Sequence, residues 1–393
     1  MGLATGSLPD FPWDTLVPYG DLARRHPDGI VDLSVGTPVD PTPALVRDAL
    51  HAASDSHGYP ATAGTAALRT AVVDWFARRR GVPGLDPAGV LPTVGSKEMV
   101  ALLPALLGLG EGDLVAHPAA AYPTYDVGAR LAGATPVATD DPVALLTGPD
   151  SGRVRLVWLN SPGNPDGSVL GVEALRAVVE AARSAAARSG RPVVVASDEC
   201  YAELAWAEPW ASAGVPSVLD PRVAGGDLTG LLALYSLSKQ SNLAGYRAAF
   251  VAGDPALVAD LLATRKHIGM IVPGPVQAAM VVALGDDAHV ADQRERYRAR
   301  RDVLRAALEG FGLVVDRSVA GLYLWVRPAE GDDDCWATVA RLAERGVLAA
   351  PGSFYGAPRH VRVALTATDE RIAAAAARLG AAVAPTTVAS PVP

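Results

Sequence analysis

Residues 236–247 read Ser-Leu-Ser-Lys-Gln-Ser-Asn-Leu-Ala-Gly-Tyr-Arg and follow the apolar run 231–235, Leu-Leu-Ala-Leu-Tyr. That run is typical of a buried strand. The chain's lysines are Lys97, Lys239 and Lys266. A lysine amine can bond covalently to a carbonyl compound, whereas a guanidinium stays protonated and cannot. Lys239 is the lysine that follows a strand among phosphate-binding groups; the alternative interpretation is a surface lysine in a polar loop.

Length and composition limit the classes of protein to which this chain can belong. With 393 residues, 50% of them hydrophobic, the chain can form a large domain and a smaller one. The net charge of -8 and the lack of a basic run argue against a nucleic-acid partner. Cys200 and Cys335 are too few for a disulfide framework or a cysteine-rich zinc site, and no metal is expected. We find neither a signal peptide nor a membrane-spanning run, so we expect a cytoplasmic protein.

The order of apolar segments predicts an α/β fold. Between residues 88 and 275, short apolar strands alternate with helical stretches, which predicts a large domain with a mostly parallel sheet. After residue 275 the pattern changes to a smaller α+β domain that begins with an arginine-rich helix. We therefore predict these segments: an N-terminal arm with part of the small domain at 1–40, the large domain at 41–275, the small domain at 276–384, and a disordered tail at 385–393.

Chemically distinctive residues follow several predicted strands, where open α/β sheets bind ligands. Asp198 comes after a strand at 193–196, and a carboxylate buried there needs a cation. Arg362 lies inside the apolar strand 360–365, and a buried arginine favours a planar carboxylate. Gly95, Ser96 and Lys97 precede a helix predicted at 98–107, whose N-terminus would attract an anion. The alternative for these three residues is a plain turn with a solvated lysine.

Three motifs occur in the order Asn160-x-Pro162-x-Asn164-Pro165-x-Gly167, Asp198-x-x-Tyr201 and Ser236-x-Ser238-Lys239 with Arg247. Together they resemble the fold-type I pyridoxal-5'-phosphate enzymes, the class I/II aminotransferases, over nearly the whole chain. The resemblance implies that Lys239 carries the cofactor covalently and moves protons during catalysis. It implies that the cofactor is contacted by Gly95, Ser96, Lys97, Tyr122, Asn164, Asp198, Tyr201, Ser236, Ser238, Lys239, Arg247 and Tyr59.

The resemblance also implies where the substrate and a second subunit lie. Gly36, Asn164 and Arg362 would bind the substrate, with Arg362 on its α-carboxylate. Asp198 would pair with the pyridine nitrogen, and Tyr122 would stack on the ring. Tyr59 would reach the cofactor phosphate of the neighbouring subunit, so the resemblance implies a homodimer with shared active sites. The partners implied are small amino-acid and keto-acid substrates.

Four longer stretches of the sequence indicate a candidate substrate. Residues 33–40, 58–69, 93–98 and 264–270 look like those of actinobacterial succinyldiaminopimelate aminotransferases, which serve the diaminopimelate route to lysine. The implied reaction exchanges an amino group between glutamate and N-succinyl-2-amino-6-oxopimelate. Candidate cations for the distal carboxylates are Arg265, Lys266, Lys97 and Arg24, each of which is alternatively a surface charge.

Other functions remain open. Another class I/II aminotransferase, for aspartate or aromatic donors, or a carbon–sulfur lyase would share all the cofactor residues. A non-catalytic pyridoxal-phosphate-binding regulator domain usually follows a helix-turn-helix module, for which the Pro-rich residues 1–30 leave no room. A nucleotide enzyme is disfavoured, because Gly108-x-Gly110-x-Gly112 follows a predicted helix rather than a strand.

Overall fold

The computed structural model describes residues 8–9 and 11–380. Its strands are β1 (Val31–Asp32), β2 (Val90–Val94), β3 (Leu114–His117), β4 (Thr135–Ala138), β5 (Val154–Asn160), β6 (Val194–Asp198), β7 (Leu231–Ser236), β8 (Ala248–Gly253), β9 (Leu313–Asp316), β10 (Tyr323–Pro328), β11 (Val347–Leu348), β12 (Ala350–Pro351) and β13 (Val361–Ala364). Its α-helices are α1 (Val17–Arg24), α2 (Ala44–Ala52), α3 (Ala66–Arg79), α4 (Ser96–Leu106), α5 (Thr124–Leu131), α6 (Pro142–Thr147), α7 (Val172–Ser189), α8 (Trp210–Ala213), α9 (Pro221–Ala224), α10 (Leu237–Gln240), α11 (Pro255–Ile268), α12 (Gly274–Gly285), α13 (Ala288–Gly310), α14 (Cys335–Glu344) and α15 (Asp369–Gly380).

A seven-stranded sheet forms the centre of the larger unit, in the order β2-β8-β7-β6-β5-β3-β4. Strand β8 is antiparallel to both of its neighbours, and the other pairs are parallel. Apolar cores lie on both faces of this sheet, one including side chains of α3, α7 and α12 and the other side chains of α4, α5 and α11. The predicted α/β fold with a mostly parallel sheet is therefore confirmed.

The smaller unit is built on a four-stranded antiparallel sheet, β12-β13-β10-β9. Its core also takes in the parallel pair β1–β11 and side chains of α13, α14 and α15. Helix α12 contributes Val276 and Met280 to the core of the larger unit. This packing favours a boundary after α12, whereas the sequence prediction places it after residue 275. The tail predicted at 385–393 lies outside the described residues.

The N-terminal segment packs on the smaller unit through aromatic rings. The Trp13 ring lies 5.1 Å from that of Phe354, and Tyr19 stacks on Trp336 at 5.2 Å. Aromatic residues of the predicted N-terminal arm therefore pack against the smaller unit. Within residues 8–9 and 11–380, no helix has both the length and the apolar character needed to cross a membrane.

A buried ion pair joins Arg80, directly after α3, to Glu199, directly after β6. We expect the loss of this pair to have a large effect on stability. Arg80 and Glu199 side chains are each 2% exposed, and their Nη2 and Oε2 atoms are 2.8 Å apart. Burial raises the pKa of Glu199, while Arg80 and the N–H of Val218 act in the opposite direction. We expect Arg80→Ala to lower the free energy of unfolding by about 3–5 kcal/mol, because it leaves Glu199 buried and unpaired.

Urea denaturation followed by circular dichroism measures this loss. Arg305→Ala is the matched control, because Arg305 pairs with Glu309 at a helix surface where both side chains are nearly half exposed. We expect that variant to change stability by less than about 1 kcal/mol. Equal losses in the two variants would contradict the account of the buried pair.

Candidate active site

A cavity of about 520 Å³ opens at the carboxyl ends of the central strands. All of the predicted site residues except Gly95 and Tyr59 line it: Gly36, Ser96, Lys97, Tyr122, Asn164, Asp198, Tyr201, Ser236, Ser238, Lys239, Arg247 and Arg362. Tyr59 is fully exposed on the single chain. Strand topology therefore brings together residues spread over most of the sequence, as open α/β sheets commonly do.

One end of the cavity is suited to an anion. The hydroxyls of Ser236 and Ser238 lie 2.7 Å apart, and helix α4 begins at Ser96 with its free N–H groups nearby. Gly95 lies behind Arg247: a Cβ on Gly95 would come within 2.1 Å of the arginine Nη2, and its φ is +72°. Because glycine has no Cβ, it leaves room for the Arg247 side chain and adopts this positive φ without backbone strain. The cradle of hydroxyls, helix N-terminus and guanidinium fits a phosphate group.

Lys239 lies at the centre of the cavity on the short helix α10. It is half-buried, and its Nζ donates a hydrogen bond to the carbonyl of Gly36. Burial is the main cause that lowers the pKa of Lys239; Tyr323 acts against it, and the nearby cations Arg362 and Arg247 add to the lowering. A lowered pKa makes the amine more available as a nucleophile or base.

Asp198 is a buried carboxylate at the end of β6. It accepts hydrogen bonds from the Tyr125 hydroxyl at 2.9 Å and from the Cys200 N–H at 3.2 Å. Burial raises the pKa of Asp198, and the hydrogen bonds lower it only in part. Among the described residues, no cationic side chain pairs with it. The site therefore fits a ligand that brings a positive charge to this carboxylate.

The loop after β5 holds Asn164. The Asn160 side chain fixes that loop, because its Oδ1 accepts from the Asn164 N–H at 2.7 Å and its Nδ2 donates to the Asp198 carbonyl at 3.0 Å. Tyr201 lines the same cavity as Asn164, and the Tyr201 hydroxyl lies 3.2 Å from the Tyr323 hydroxyl. Burial raises the pKa of Tyr201 well above its ordinary value, so its hydroxyl keeps its proton and can donate.

Arg362 is a buried cation on β13. It donates to the Asn164 Oδ1 at 2.9 Å and to the Ser34 carbonyl at 2.7 Å. Its guanidinium carbon lies 4.0 Å from the centre of the Tyr323 ring and 4.7 Å from that of Tyr355. Its Nε has no acceptor, and no carboxylate of the described chain pairs with it. A ligand carboxylate would supply the missing planar anion.

The sequence analysis missed several residues that line or shape the cavity. These are Phe11, Trp13, Tyr125, Asn160 and Tyr323. Asn160 is the first asparagine of the motif that contains Asn164, so its position was visible in the sequence. The others needed the structure, because helix α5 was not predicted and Tyr323 reaches the cavity only through the pairing of β10 with β13.

The candidate cations for a distal carboxylate do not all reach the cavity. Lys97 lines it, with its Nζ 5.7 Å from the centre of the Tyr122 ring. Lys266 is exposed outside the cavity, and Arg24 is exposed and paired with Asp21. Arg265 is fully buried in an ion pair with Glu98, so its interpretation as a surface charge is wrong.

Comparison with known proteins gives a consistent result. A family model described as Aminotransferase class I and II matches residues 28–379. The probable aminotransferase Rv1178 of Mycobacterium tuberculosis is 60% identical over 381 residues, covering 96% of this chain and 87% of that protein. The 4-dedimethylamino-4-oxo-anhydrotetracycline transaminase OxyQ of Streptomyces rimosus is 55% identical, covering 95% and 99%. The N-succinyldiaminopimelate aminotransferase structure from Mycobacterium tuberculosis superposes with a TM-score of 0.80 at 31% identity, covering 93% and 96%.

Proposed function

Since the chain belongs to the class I and II aminotransferases, which depend on pyridoxal 5'-phosphate, we propose that it exchanges an amino group between glutamate and N-succinyl-2-amino-6-oxopimelate. The observation that carries the aminotransferase chemistry is that Lys239 lines the same cavity as two buried charges that lack an ionic partner among the described residues, Asp198 and Arg362. An amino-acid substrate on this cofactor needs a base, a carboxylate-binding cation and a partner for the pyridine nitrogen.

The residues of the cavity fit each part of the cofactor. Ser96, Ser236, Ser238 and Arg247 would hold the phosphate. Asp198 would pair with the protonated ring nitrogen, which lets the ring act as an electron sink when a substrate Cα loses its proton. The remaining contacts we propose are Tyr122 on the ring face, Asn164 and Tyr201 on the phenolic oxygen, and Lys239 at the reactive carbon.

The chain's own residues would drive the proton transfers. Lys239 Nζ would take the proton from the substrate Cα as a base and would then deliver it as an acid to the carbon of the cofactor that accepts it. Its lowered pKa suits both roles. Arg362 orients the α-carboxylate, while the Gly36 carbonyl accepts a hydrogen bond from Lys239 Nζ and would keep this amine within reach of the substrate.

The succinylated substrate is supported by the resemblance of several sequence stretches and by Lys97 beside the cavity, where it could meet a distal carboxylate. It would place the enzyme in lysine biosynthesis. A second candidate is the amination of a polycyclic ketone of the kind named for OxyQ, which is favoured by 55% identity over nearly all of both chains. A carbon–sulfur lyase would use the same cofactor contacts.

We also propose a cytoplasmic homodimer. Tyr59 is fully exposed and lies outside the cavity of its own chain, as expected for a side chain that serves the partner's site. Mixing a Lys239→Ala protein with a Tyr59→Phe protein tests this: heterodimers would contain one intact site, so activity would rise above that of either variant alone. A simple average of the two activities would argue against shared sites.

The two half-reactions test the function as a whole. We expect glutamate to remove the visible absorption band of the cofactor-loaded enzyme and N-succinyl-2-amino-6-oxopimelate to restore it. If the 4-oxo-anhydrotetracycline ketone restores the band and the succinylated acid does not, the second candidate replaces the first. If glutamate leaves the band unchanged while cysteine conjugates release pyruvate and a thiol, the enzyme is a lyase.

A further inference from the structure

Ser241, two residues after Lys239, belongs to a chain of hydrogen bonds outside the active-site cavity. Its Oγ lies 2.7 Å from His289 Nε2, and His289 Nδ1 lies 2.7 Å from Asp286 Oδ2. Serine, histidine and aspartate in this order also form the catalytic triads of hydrolases. Ser241, however, is 0% exposed and does not line the cavity, so its hydroxyl is not accessible to a substrate carbonyl. This arrangement therefore needs another explanation.

The hydrogen bonds of this chain all run in one direction. Hydrogen bonds from the backbone and the side chain of His289 lower the pKa of Asp286, so this carboxylate is an acceptor. With its proton on Nδ1, His289 presents Nε2 as an acceptor for the Ser241 hydroxyl. Gln240 Nε2 donates to Ser241 Oγ at 3.2 Å, and Gln240 Oε1 accepts from the Tyr235 hydroxyl at 2.6 Å. The chain thus joins helix α13 to the segment that carries the active-site lysine.

A second chain of hydrogen bonds begins at the next residue, Asn242. Its Nδ2 donates to Gln293 Oε1 at 2.8 Å, and Gln293 Nε2 donates to Asp40 Oδ2 at 2.8 Å. Arg300 holds the same carboxylate with two nitrogens, at 2.6 and 2.7 Å. Gln293 and Arg300 are both buried, so these polar groups depend on one another for their hydrogen bonds.

Both chains reach the same face of helix α13. His289 and Gln293 are four residues apart, so their side chains are neighbours on the helix surface. Gln293 also binds Asp40, which lies four residues after Gly36. Because the Gly36 carbonyl accepts from Lys239 Nζ, one face of the helix holds the two segments that meet in this contact.

We propose that His289 and Gln293 are positioning residues for Lys239, which hold its Nζ where it can move a proton at the substrate Cα. This inference rests on the proposed aminotransferase function and adds two residues that line no part of the cavity. Proton transfer requires the two heavy atoms to lie within about 3 Å, and a displacement of about 1 Å can lower a rate by about 10²-fold. Both residues are buried within one chain, so their contacts do not require a partner subunit.

Two variants of His289 separate positioning from packing. His289→Leu removes the acceptor of the Ser241 hydroxyl, whereas His289→Gln keeps an oxygen that can accept at about the same place. We expect the rate at which saturating glutamate removes the visible band of the loaded enzyme to fall by about 10- to 100-fold in His289→Leu. In His289→Gln it should stay within about threefold, and the apparent affinity for glutamate should stay within about threefold in both variants.

The control for these variants is Glu295→Gln, a change at an exposed side chain of the same helix, which should keep the rate of the unaltered protein. An unchanged rate in His289→Leu, or equal losses in the two His289 variants, would overturn the positioning role. A visible band that glutamate does not remove even in the unaltered protein would refute the proposed function and this inference with it. A band removed at equal rates in all variants would refute the inference alone.

Ser241→Ala tests the same hydrogen bond from its other end and provides the test if His289→Leu does not fold. It should slow the loss of the band by about the same factor as His289→Leu. The double variant should be no slower than the slower single variant, because the two residues act through one bond. Losses that multiply in the double variant would mean that the residues act independently, which contradicts the proposal.

Hydrogen exchange in the cofactor-free protein gives a readout that does not depend on activity. We expect the amides of residues 237–242 to exchange about tenfold faster in His289→Leu and in Gln293→Leu, because each variant frees one anchor of this segment. The amides of β5 should exchange as in the unaltered protein. Faster exchange throughout the chain would indicate a general loss of stability and would overturn the positioning role, as would unchanged exchange at 237–242.

Discussion

Lys239→Ala is expected to reduce transamination by about 10⁴-fold or more and to remove the visible absorption of the bound cofactor. In the proposed function, Lys239 would combine the covalent attachment of the cofactor with the proton transfer at the substrate Cα, and general acid–base catalysis alone contributes about 10²- to 10⁴-fold. Burial lowers the pKa of the Lys239 amine, and the nearby cations Arg362 and Arg247 add to this effect. Steady-state rates with glutamate and the absorption spectrum measure both effects.

Lys266→Ala is the control for this experiment. Lys266 is exposed near the end of α11 and does not line the cavity. We expect it to keep its rate and spectrum close to those of the unaltered protein. Retention of more than about one per cent of the activity by Lys239→Ala would show that another group moves the proton.

Asp198→Asn is expected to act in opposite directions on activity and on the stability of the cofactor-free protein. In the loaded enzyme the carboxylate would pair with the ring nitrogen, and breaking a buried pair typically costs about 3–5 kcal/mol, or roughly 10²- to 10⁴-fold in kcat/KM. In the cofactor-free protein the buried carboxylate has no cationic partner among the described residues. The neutral amide should then raise the free energy of unfolding by about 1–3 kcal/mol.

The pH dependence of this gain follows from the raised pKa of Asp198. A carboxyl with a raised folded-state pKa favours folding below its unfolded-state pKa, and that contribution is lost as pH rises through the folded-state value. The stabilising effect of Asp198→Asn in the cofactor-free protein should therefore grow as pH rises through this window and stay constant above it. Urea unfolding at a series of pH values measures it, with Asp48→Asn, a change at an exposed residue of α2, as the control. A loss of stability at neutral pH would contradict the unpaired state of Asp198.

Strands and motifs with local signals were predictable. The all-buried strands β5, β6 and β7 are mostly apolar, with Arg155 as an interruption in β5, and their last residues, Asn160, Asp198 and Ser236, begin the motifs. Helix α4 begins at Ser96, two residues before its predicted start, because Glu98 reaches back and accepts the Val94 N–H at 3.0 Å. This contact stabilises the first turn, and a pattern of apolar residues alone does not reveal it.

Contacts between distant segments were not predictable. Arg362 was predicted as a buried arginine, but the rings of Tyr323 and Tyr355 that contact it come from other elements of the smaller unit. The burial of Arg265 depends on Glu98, which is far away in the sequence. The aromatic contribution of Phe11 to the cavity likewise requires the folded N-terminal segment. Such placements depend on tertiary packing, which periodicity does not report.

The most direct test of the central claim identifies the residue that carries the cofactor. The loaded protein is reduced with borohydride, digested, and mapped by mass spectrometry. The structure predicts the reduced pyridoxyl phosphate on the peptide that contains Lys239, and none on those of Lys97 and Lys266. Label on either of those lysines, or on no peptide at all, would contradict the assignment of the active site.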